Sequence, residues 1–258
     1  MIKLIDTHCH ILPGLDDGSQ TLEQALQMAE IAIKNGIETI IVTPHHANGA
    51  YDNPAFAVRE SLSALQEELA GRNMPLRLLP GQEIRIHAGL LDEWDQGQLL
   101  CLNQSEYILL EMPHSHIPDS IYDLLYELRI KNLHPVIAHP ERNAEIIAEP
   151  DRARQLVEHG ALLQLTAGSV IGMHGRTIRR LALSLCRQGI VHLLGSDAHN
   201  SARCISALAE AYRVLEDQLG SSYAEYYADN ANRLVSGTSI VPRDSPRQSK
   251  RWYQFWHH

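Results

Sequence analysis

The sequence predicts an α/β fold: a distorted parallel (β/α)7-type barrel with its functional residues at the C-terminal mouth of the strands. Three observations predict it. Seven short β-rich runs recur, at Ile2 to His8, Ile37 to Thr43, Leu76 to Gly81, Tyr107 to Glu111, His134 to His139, Ala161 to Thr166 and Ile190 to Ser196. Helix-period segments lie between them, and strict alternation implies parallel strands joined by right-handed crossovers. Finally, His, Asp or Glu stands where the apolar runs end, from Asp6-Thr7-His8-Cys9-His10 to Ser196-Asp197-Ala198-His199. Barrels of this type keep their chemistry at those strand ends.

Each element has a local reason. In the first strand alternate residues share a face, so Asp6, His8 and His10 can all point toward the barrel axis. The helix from Thr21 to Asn35 carries Leu22, Ala25, Leu26, Ala29 and Ile33 on one stripe, and Gly36 stops it. The second strand ends in His45-His46, and after a helix from Pro54 to Ala70 the third runs into Glu83. The fourth is apolar from Tyr107 to Leu110 and then meets Glu111. A helix from Asp119 to Lys131 precedes the strand ended by His139, and another from Asp151 to His159 precedes the sixth. The seventh delivers Asp197 and His199.

At 258 residues and 44% hydrophobic content, the chain can build one barrel core of about 250 residues. The expected division is a barrel over residues 1–240 and a basic, aromatic tail over 241–258. No glycine-rich phosphate loop follows the first strand, which disfavours a nucleotide-binding open sheet. A net charge of -9 leaves no broad cationic surface for nucleic acid. The N-terminus does not resemble a signal peptide and no apolar stretch spans a bilayer, so a cytoplasmic place is expected. Cys9, Cys101, Cys186 and Cys204 form no C-x-x-C pair and none has an arginine six positions on. They read as reduced thiols, not as a phosphatase nucleophile.

Imidazole and carboxylate without thiolate suit manganese, iron or zinc, and more ligands are on offer than one ion can use. Glu111 is the most telling carboxylate, because a charge at the end of a buried apolar strand is costly unless compensated. Read alone, Glu83 fits a surface turn, and Asp16-Asp17-Gly18 fits a turn capping the next helix. Many two-metal barrel hydrolases bridge their ions with a carbamylated lysine. Lys3, Lys34, Lys131 and Lys250 end no strand, so a glutamate, Glu83, would bridge instead. Arg142 lies three residues past His139 and Arg203 four past His199; either alone reads as a surface ion-pair partner. Together beside the ligands, their guanidinium forks point to metal-assisted phosphate-ester hydrolysis. His46 stays outside the metal shell, and His114 and His116 are read as non-ligands, with the pocket rim as the alternative place for both.

These motifs resemble the PHP superfamily, named for polymerase and histidinol phosphatase. The strings DTHCHILPGLDDGSQT, VTPHHANGAY, LPGQEIRI, PVIAHPERN and GSDAHN resemble more closely the manganese-dependent protein-tyrosine phosphatases of bacterial capsule and exopolysaccharide operons. The resemblance spans about residues 1–240. It implies three divalent ions, manganese first, with iron, cobalt or zinc as alternatives. It places His8, His10, Glu83 and Asp197 around one ion, Glu83, Glu111 and His139 around a second, and Asp17, His45 and His199 around a third. Arg142 and Arg203 fall at the family's phosphate-contacting positions. The implied substrate is phosphotyrosine on a partner bacterial tyrosine kinase, hydrolysed by in-line attack of a metal-bridging hydroxide.

Two rivals are weighed: a small-molecule phosphomonoesterase such as histidinol phosphatase, and a metal-holding regulatory module without turnover. The Asp16-Asp17-Gly18 extension disfavours the first; the intact ligands with both arginines disfavour the second. In the tail, Arg247, Lys250 and Arg251 stand beside Trp252, Tyr253, Phe255 and Trp256. A frayed end or a contact with a second subunit is preferred there over weak docking on an anionic membrane.

Overall fold

The computed structural model describes residues 4–199 and 202–243, the side chains of Ala202 and Arg203 excepted. The tail from residue 244 onward, with the membrane or subunit contact expected of it, lies outside the described residues. Among the described residues there are nine strands: β1 (Leu4–Cys9), β2 (Ile37–Val42), β3 (His45–His46), β4 (Arg77–Leu79), β5 (Glu83–Arg85), β6 (Tyr107–Glu111), β7 (His134–Ala138), β8 (Leu162–Thr166) and β9 (Leu193–Gly195). The helices are α1 (Leu22–Lys34), α2 (Ala55–Gly71), α3 (Leu90–Asp95), α4 (Ile121–Ile130), α5 (Ala144–Ala148), α6 (Asp151–Glu158), α7 (Ala167–Ile171), α8 (Arg176–Arg187), α9 (Ala202–Leu219) and α10 (Ser221–Val235).

All seven expected strands are present, and two are broken. Pro44 separates β2 from β3, and Pro80 separates β4 from β5, because proline brings no N–H to a ladder. Each break shifts the chain from one sheet to the next. The order β1-β2-β4 forms one sheet and β3-β5-β6-β7-β8-β9 the other, with every pairing parallel. The six-stranded sheet curls back onto β1 through a bridge between Cys9 and Ala198. Backbone bonds from His10 N to Ala198 O and from Asp197 N to His8 O, both 2.9 Å, fasten this seam. Asp6 adds a third stitch, its buried Oδ1 accepting from Ser196 N at 2.8 Å.

Strand alternation separates two apolar layers. Ile108, Leu110, Ile137, Leu163 and Leu165 face outward and pack with the helices. Ile41, Leu79, Leu109, Val136, Ala138 and Leu193 face the barrel interior. Burying each such side chain contributes roughly 1.5–3 kcal/mol. Leu234 at the end of α10 and Ile240 close this interior from below, where Ile240 N donates to the Tyr107 hydroxyl at 2.8 Å. The chain is still held past residue 240: Val241 N donates to Asn230 Oδ1, and the Arg243 guanidinium stacks over Tyr223 at 3.7 Å. Among the described residues, no helix is long and apolar enough to cross a membrane.

Beneath the barrel, His192 is buried and burial pushes its imidazole down from 6.5 to about 4. Its Nδ1 accepts from Leu163 N at 3.2 Å, as an unprotonated nitrogen must. The folded pKa lies below the unfolded one, so between these values only the unfolded chain takes up the proton. Stability contributed by His192 is complete above pH 6.5 and is lost as pH falls toward 4. His192→Asn, whose Oδ1 can take over the Leu163 bond, is expected to flatten that loss. Urea midpoints of both proteins measured across this window check it; equal slopes would refute it.

Candidate metal centre

The alternation that builds the apolar interior also builds the site. On β6 the inward series Tyr107, Leu109 continues into Glu111; on β1 the inward face is Asp6, His8 and then His10. Above the last apolar layer, these strands therefore turn from hydrocarbon to imidazole and carboxylate. All nine residues expected as ligands converge there.

Eight of them form three overlapping groups able to hold a cation: His8, His10, Glu83 and Asp197; His10, Asp17, His45 and His199; and His45, Glu83 and Glu111. In the first, His8 Nε2 lies 3.2 Å from Glu83 Oε2 and 3.3 Å from Asp197 Oδ1, and His10 Nε2 lies 3.3 Å from the same Glu83 oxygen. In the second, Asp17 Oδ1 stands 3.5 Å from His45 Nε2 and 3.4 Å from His199 Nε2. In the third, His45 Nδ1 is 3.1 Å from Glu83 Oε2 and 3.7 Å from Glu111 Oε2.

The grouping differs from the expected one in two details. His10 serves two groups, and His45 turns Nδ1 toward Glu83 and Glu111 where His139 alone was expected. His139 still reaches both carboxylates, its Nε2 2.8 Å from Glu83 Oε1 and 3.9 Å from Glu111 Oε1. His139 and Asp197 adopt left-handed backbone, with φ of 34° and 53°. For non-glycine residues that costs about 1–3 kcal/mol, and such outliers gather at functional sites.

The electrostatics explain why six of these groups, His8, His10, His45, Glu83, Glu111 and His139, tolerate burial together. Burial opposes charge on His8 and His10, yet the carboxylates of Glu83, Asp197 and Asp16 outweigh it and hold both imidazoles above their ordinary value. Burial would likewise raise Glu83, but His8, His10, His139 and His45 hold it well below the carboxylate range. Glu111 is pushed up by burial and by Glu83. Glu83 Oε2, Glu111 Oε2 and His45 Nδ1 are buried without a hydrogen-bond partner. Unpaired buried acceptors converging this closely fit a cation. No thiol competes: Cys9 points into the outer core, its Sγ 3.7 Å from Ala198 O.

Outer partners orient the imidazoles. His8 Nδ1 lies 2.7 Å from Gln164 Oε1, and His10 Nδ1 lies 2.6 Å from Asp16 Oδ2, leaving Nε2 of each toward the centre. Asp16 also accepts from Gly18 N and His45 N, each at 2.9 Å. The reading of Asp16 as a simple turn residue is therefore corrected. Sequence reasoning also missed Gln164 and Arg85. A polar residue alternating with Leu163 and Leu165, and an arginine two positions past Glu83, were the available signals.

The cluster floors a cavity of about 350 Å³ at the mouth, walled by Arg85, His114 and Arg142 among others. Arg142 Nη1 pairs with Asp197 Oδ2 at 2.5 Å. His114 stands at the rim, its ring 5.6 Å from that of His139, and burial with Arg142 pushes it down to about 4. Arg203 stands in the first turn of α9, and its side chain lies outside the described residues. A larger groove of about 860 Å³ runs beside the starts of β2 and β4, at the opposite end from this chemistry.

Gly195 is required by the seam. A Cβ there would lie 2.5 Å from His8 Cβ and 3.2 Å from His8 N. Gly195→Ala is expected to cost about 1–3 kcal/mol through overpacking and to displace His8, lowering metal content. Urea unfolding and elemental analysis check this; wild-type values in both would refute it.

Fold and site together define a class, the α/β-barrel hydrolases that gather metal-binding side chains at the C-terminal mouth of the strands. Within it, the chain belongs to the CpsB/CapC family of capsular polysaccharide synthesis, whose family model matches residues 4–236. It is 42% identical over 248 residues to the tyrosine-protein phosphatase YwqE of Bacillus subtilis (strain 168), covering 96% of this chain and 97% of that protein. It is 31% identical over 253 residues to the putative tyrosine-protein phosphatase CapC of Staphylococcus aureus, covering 97% and 99%. The structure superimposes with a TM-score of 0.90 and 42% identity on a chain from the crystal structures of YwqE from Bacillus subtilis and CpsB from Streptococcus pneumoniae, described as metal-dependent tyrosine phosphatases; the match covers 94% of this chain and 98% of that one.

Proposed function

We propose that this chain is a metal-dependent protein-tyrosine phosphatase acting on a bacterial tyrosine kinase that regulates capsular or exopolysaccharide synthesis. The observation that carries the reading is the convergence of eight imidazoles and carboxylates into three cation-holding groups, with His139 against two of their carboxylates, in the family just described. Three divalent ions, manganese by preference, would be held by His8, His10, Glu83 and Asp197, by Glu83, Glu111, His45 and His139, and by Asp17, His10, His45 and His199. When bound, such ions neutralise phosphoryl charge and bring a water toward deprotonation near neutral pH.

The chain's own residues set the rest. Glu83 turns Oε2 to His8, His10 and His45 and Oε1 to His139, so its carboxylate would be shared between two ions where no strand-end lysine is present to do so. Arg142, fixed by Asp197, aims a guanidinium into the cavity for the phosphoryl oxygens. Arg203 is assigned the matching role by the family resemblance alone. Water attacks phosphorus in line, the bond to the tyrosyl oxygen breaks, and phosphate and phenolate leave. A phenol pKa of about 10 makes that departure feasible without a strong general acid. No cysteine lines the cavity among the described residues, so no thiophosphate intermediate is invoked.

The test is phosphate release from a phosphotyrosyl peptide, a phosphoseryl peptide and histidinol phosphate, each before chelation, after it, and after Mn2+ is returned. Release from the phosphotyrosyl peptide, lost with chelator and restored by Mn2+, is expected. Preference for histidinol phosphate would favour the small-molecule rival, and no release from any substrate would favour a regulatory module.

A further inference from the structure

Besides Arg142, a second guanidinium among the described residues stands at the mouth. Arg85 lies two residues past Glu83 on β5, so strand alternation turns both inward, with Arg85 one step nearer the opening. Its ladder neighbour on β6 is Glu111, and its Nη2 lies 3.0 Å from Glu111 Oε2. The side chain is 24% exposed and walls the same cavity as Arg142. Glu111 meets one end of the guanidinium and does not satisfy it. Arg85 Nε is buried without a hydrogen-bond partner, and Glu111 Oε2 also lacks a well-directed bond. An unpaired buried donor costs about 1–3 kcal/mol. A surface ion pair has no need of that arrangement; a fork waiting for a tetrahedral oxyanion does.

We propose that Arg85 is a phosphate-binding residue of this site, gripping a non-bridging oxygen of the substrate phosphoryl group from the β5–β6 wall while Arg142 grips from the β7–β9 side. The inference deepens the phosphatase reading and rests on it for the identity of the ester. A dianionic group with three equivalent oxygens suits two forks set on separate walls better than one. The strand also fixes Arg85 more firmly than a loop would. Position on a ladder beside Glu111 makes the guanidinium a counter-charge before substrate arrives and a ligand afterwards.

The experiment uses Mn2+-loaded full-length protein and inorganic phosphate as the probe. Arg85→Ala, with Arg85→Gln as a second variant of nearer shape, is expected to weaken phosphate binding by calorimetry about tenfold or more. Metal content by elemental analysis is expected to stay at the wild-type level, and KM for a phosphotyrosyl peptide to rise more than kcat falls. Arg85→Lys should recover part of the affinity, since it restores charge without the fork. Unchanged phosphate affinity in both neutral variants would overturn the inference. So would a parallel loss of metal, which would make Arg85 only the counter-charge of Glu111. If wild-type protein binds phosphate but does not cleave the phosphotyrosyl peptide, the phosphatase reading fails while the Arg85 assignment survives.

Discussion

Glu83→Gln is expected to lower phosphotyrosyl-peptide turnover at least about a thousandfold, beyond the roughly 10- to 100-fold typical of losing an outer partner of a ligand. Glu83 is the node of the cluster. Its Oε2 lies within 3.3 Å of His8, His10 and His45, and its Oε1 lies 2.8 Å from His139. Glutamine keeps the shape but removes the charge, and it turns an N–H2 donor toward nitrogens that must themselves accept a cation. More than one ion should therefore be lost, because Glu83 belongs to two of the three groups. The fold should tolerate the change, since the imidazoles can shed the protons that Glu83 had stabilised. Elemental analysis, turnover and thermal unfolding of the metal-free protein check the three parts. A variant with full metal content and full activity would remove Glu83 from the centre.

The second large effect is expected at a residue that touches no ion in this account. Asp16→Ala deletes an acceptor serving His10 Nδ1, Gly18 N and His45 N at once. Burial would raise this carboxyl, but the bond and charge of His10, with the two backbone donors, hold it at about 2. The stability it contributes is therefore present above its ordinary 3.8 and lost as pH falls toward 2. Without Asp16, the His10 imidazole loses its fixed tautomer and two buried N–H groups lose their acceptor. Manganese affinity should fall about 10- to 100-fold, with a stability loss of about 1–3 kcal/mol for each group left unpaired. Asp16→Asn retains one oxygen and should fall between alanine and wild type. Metal titration of the three proteins measures this; equal affinities would reduce Asp16 to the turn residue it resembles in sequence.

Much of the site was legible because it lies at strand ends. Glu111 after Tyr107 to Leu110, and His139 after the His134 strand, stand out as polar residues where an apolar run stops. Glu83 and Asp17 were ambiguous from spacing, since each sits in a turn-like string, and only resemblance to a family separated them from solvent-facing residues. Arg85 and Gln164 were missed because strand phase decides whether a polar side chain faces the barrel or the solvent. Phase is hard to read on strands of three to five residues. The breaks at Pro44 and Pro80 were visible as prolines, but not the shift of sheet that each causes.

The sequence by itself determined the alternation of strands and helices, the polar residues that end the strands and the two arginines beside them, because these are properties of periodicity and residue type; the resemblance of its motifs to a known family added Asp17 and singled out Glu83. Tertiary structure decided which ligands share a cation group, which imidazole nitrogen faces inward, and which side chains stand behind them. Those depend on distances between strands far apart in the chain: His8 meets Gln164 across 156 residues, a contact that exists only once the sheet has curled and closed on β1.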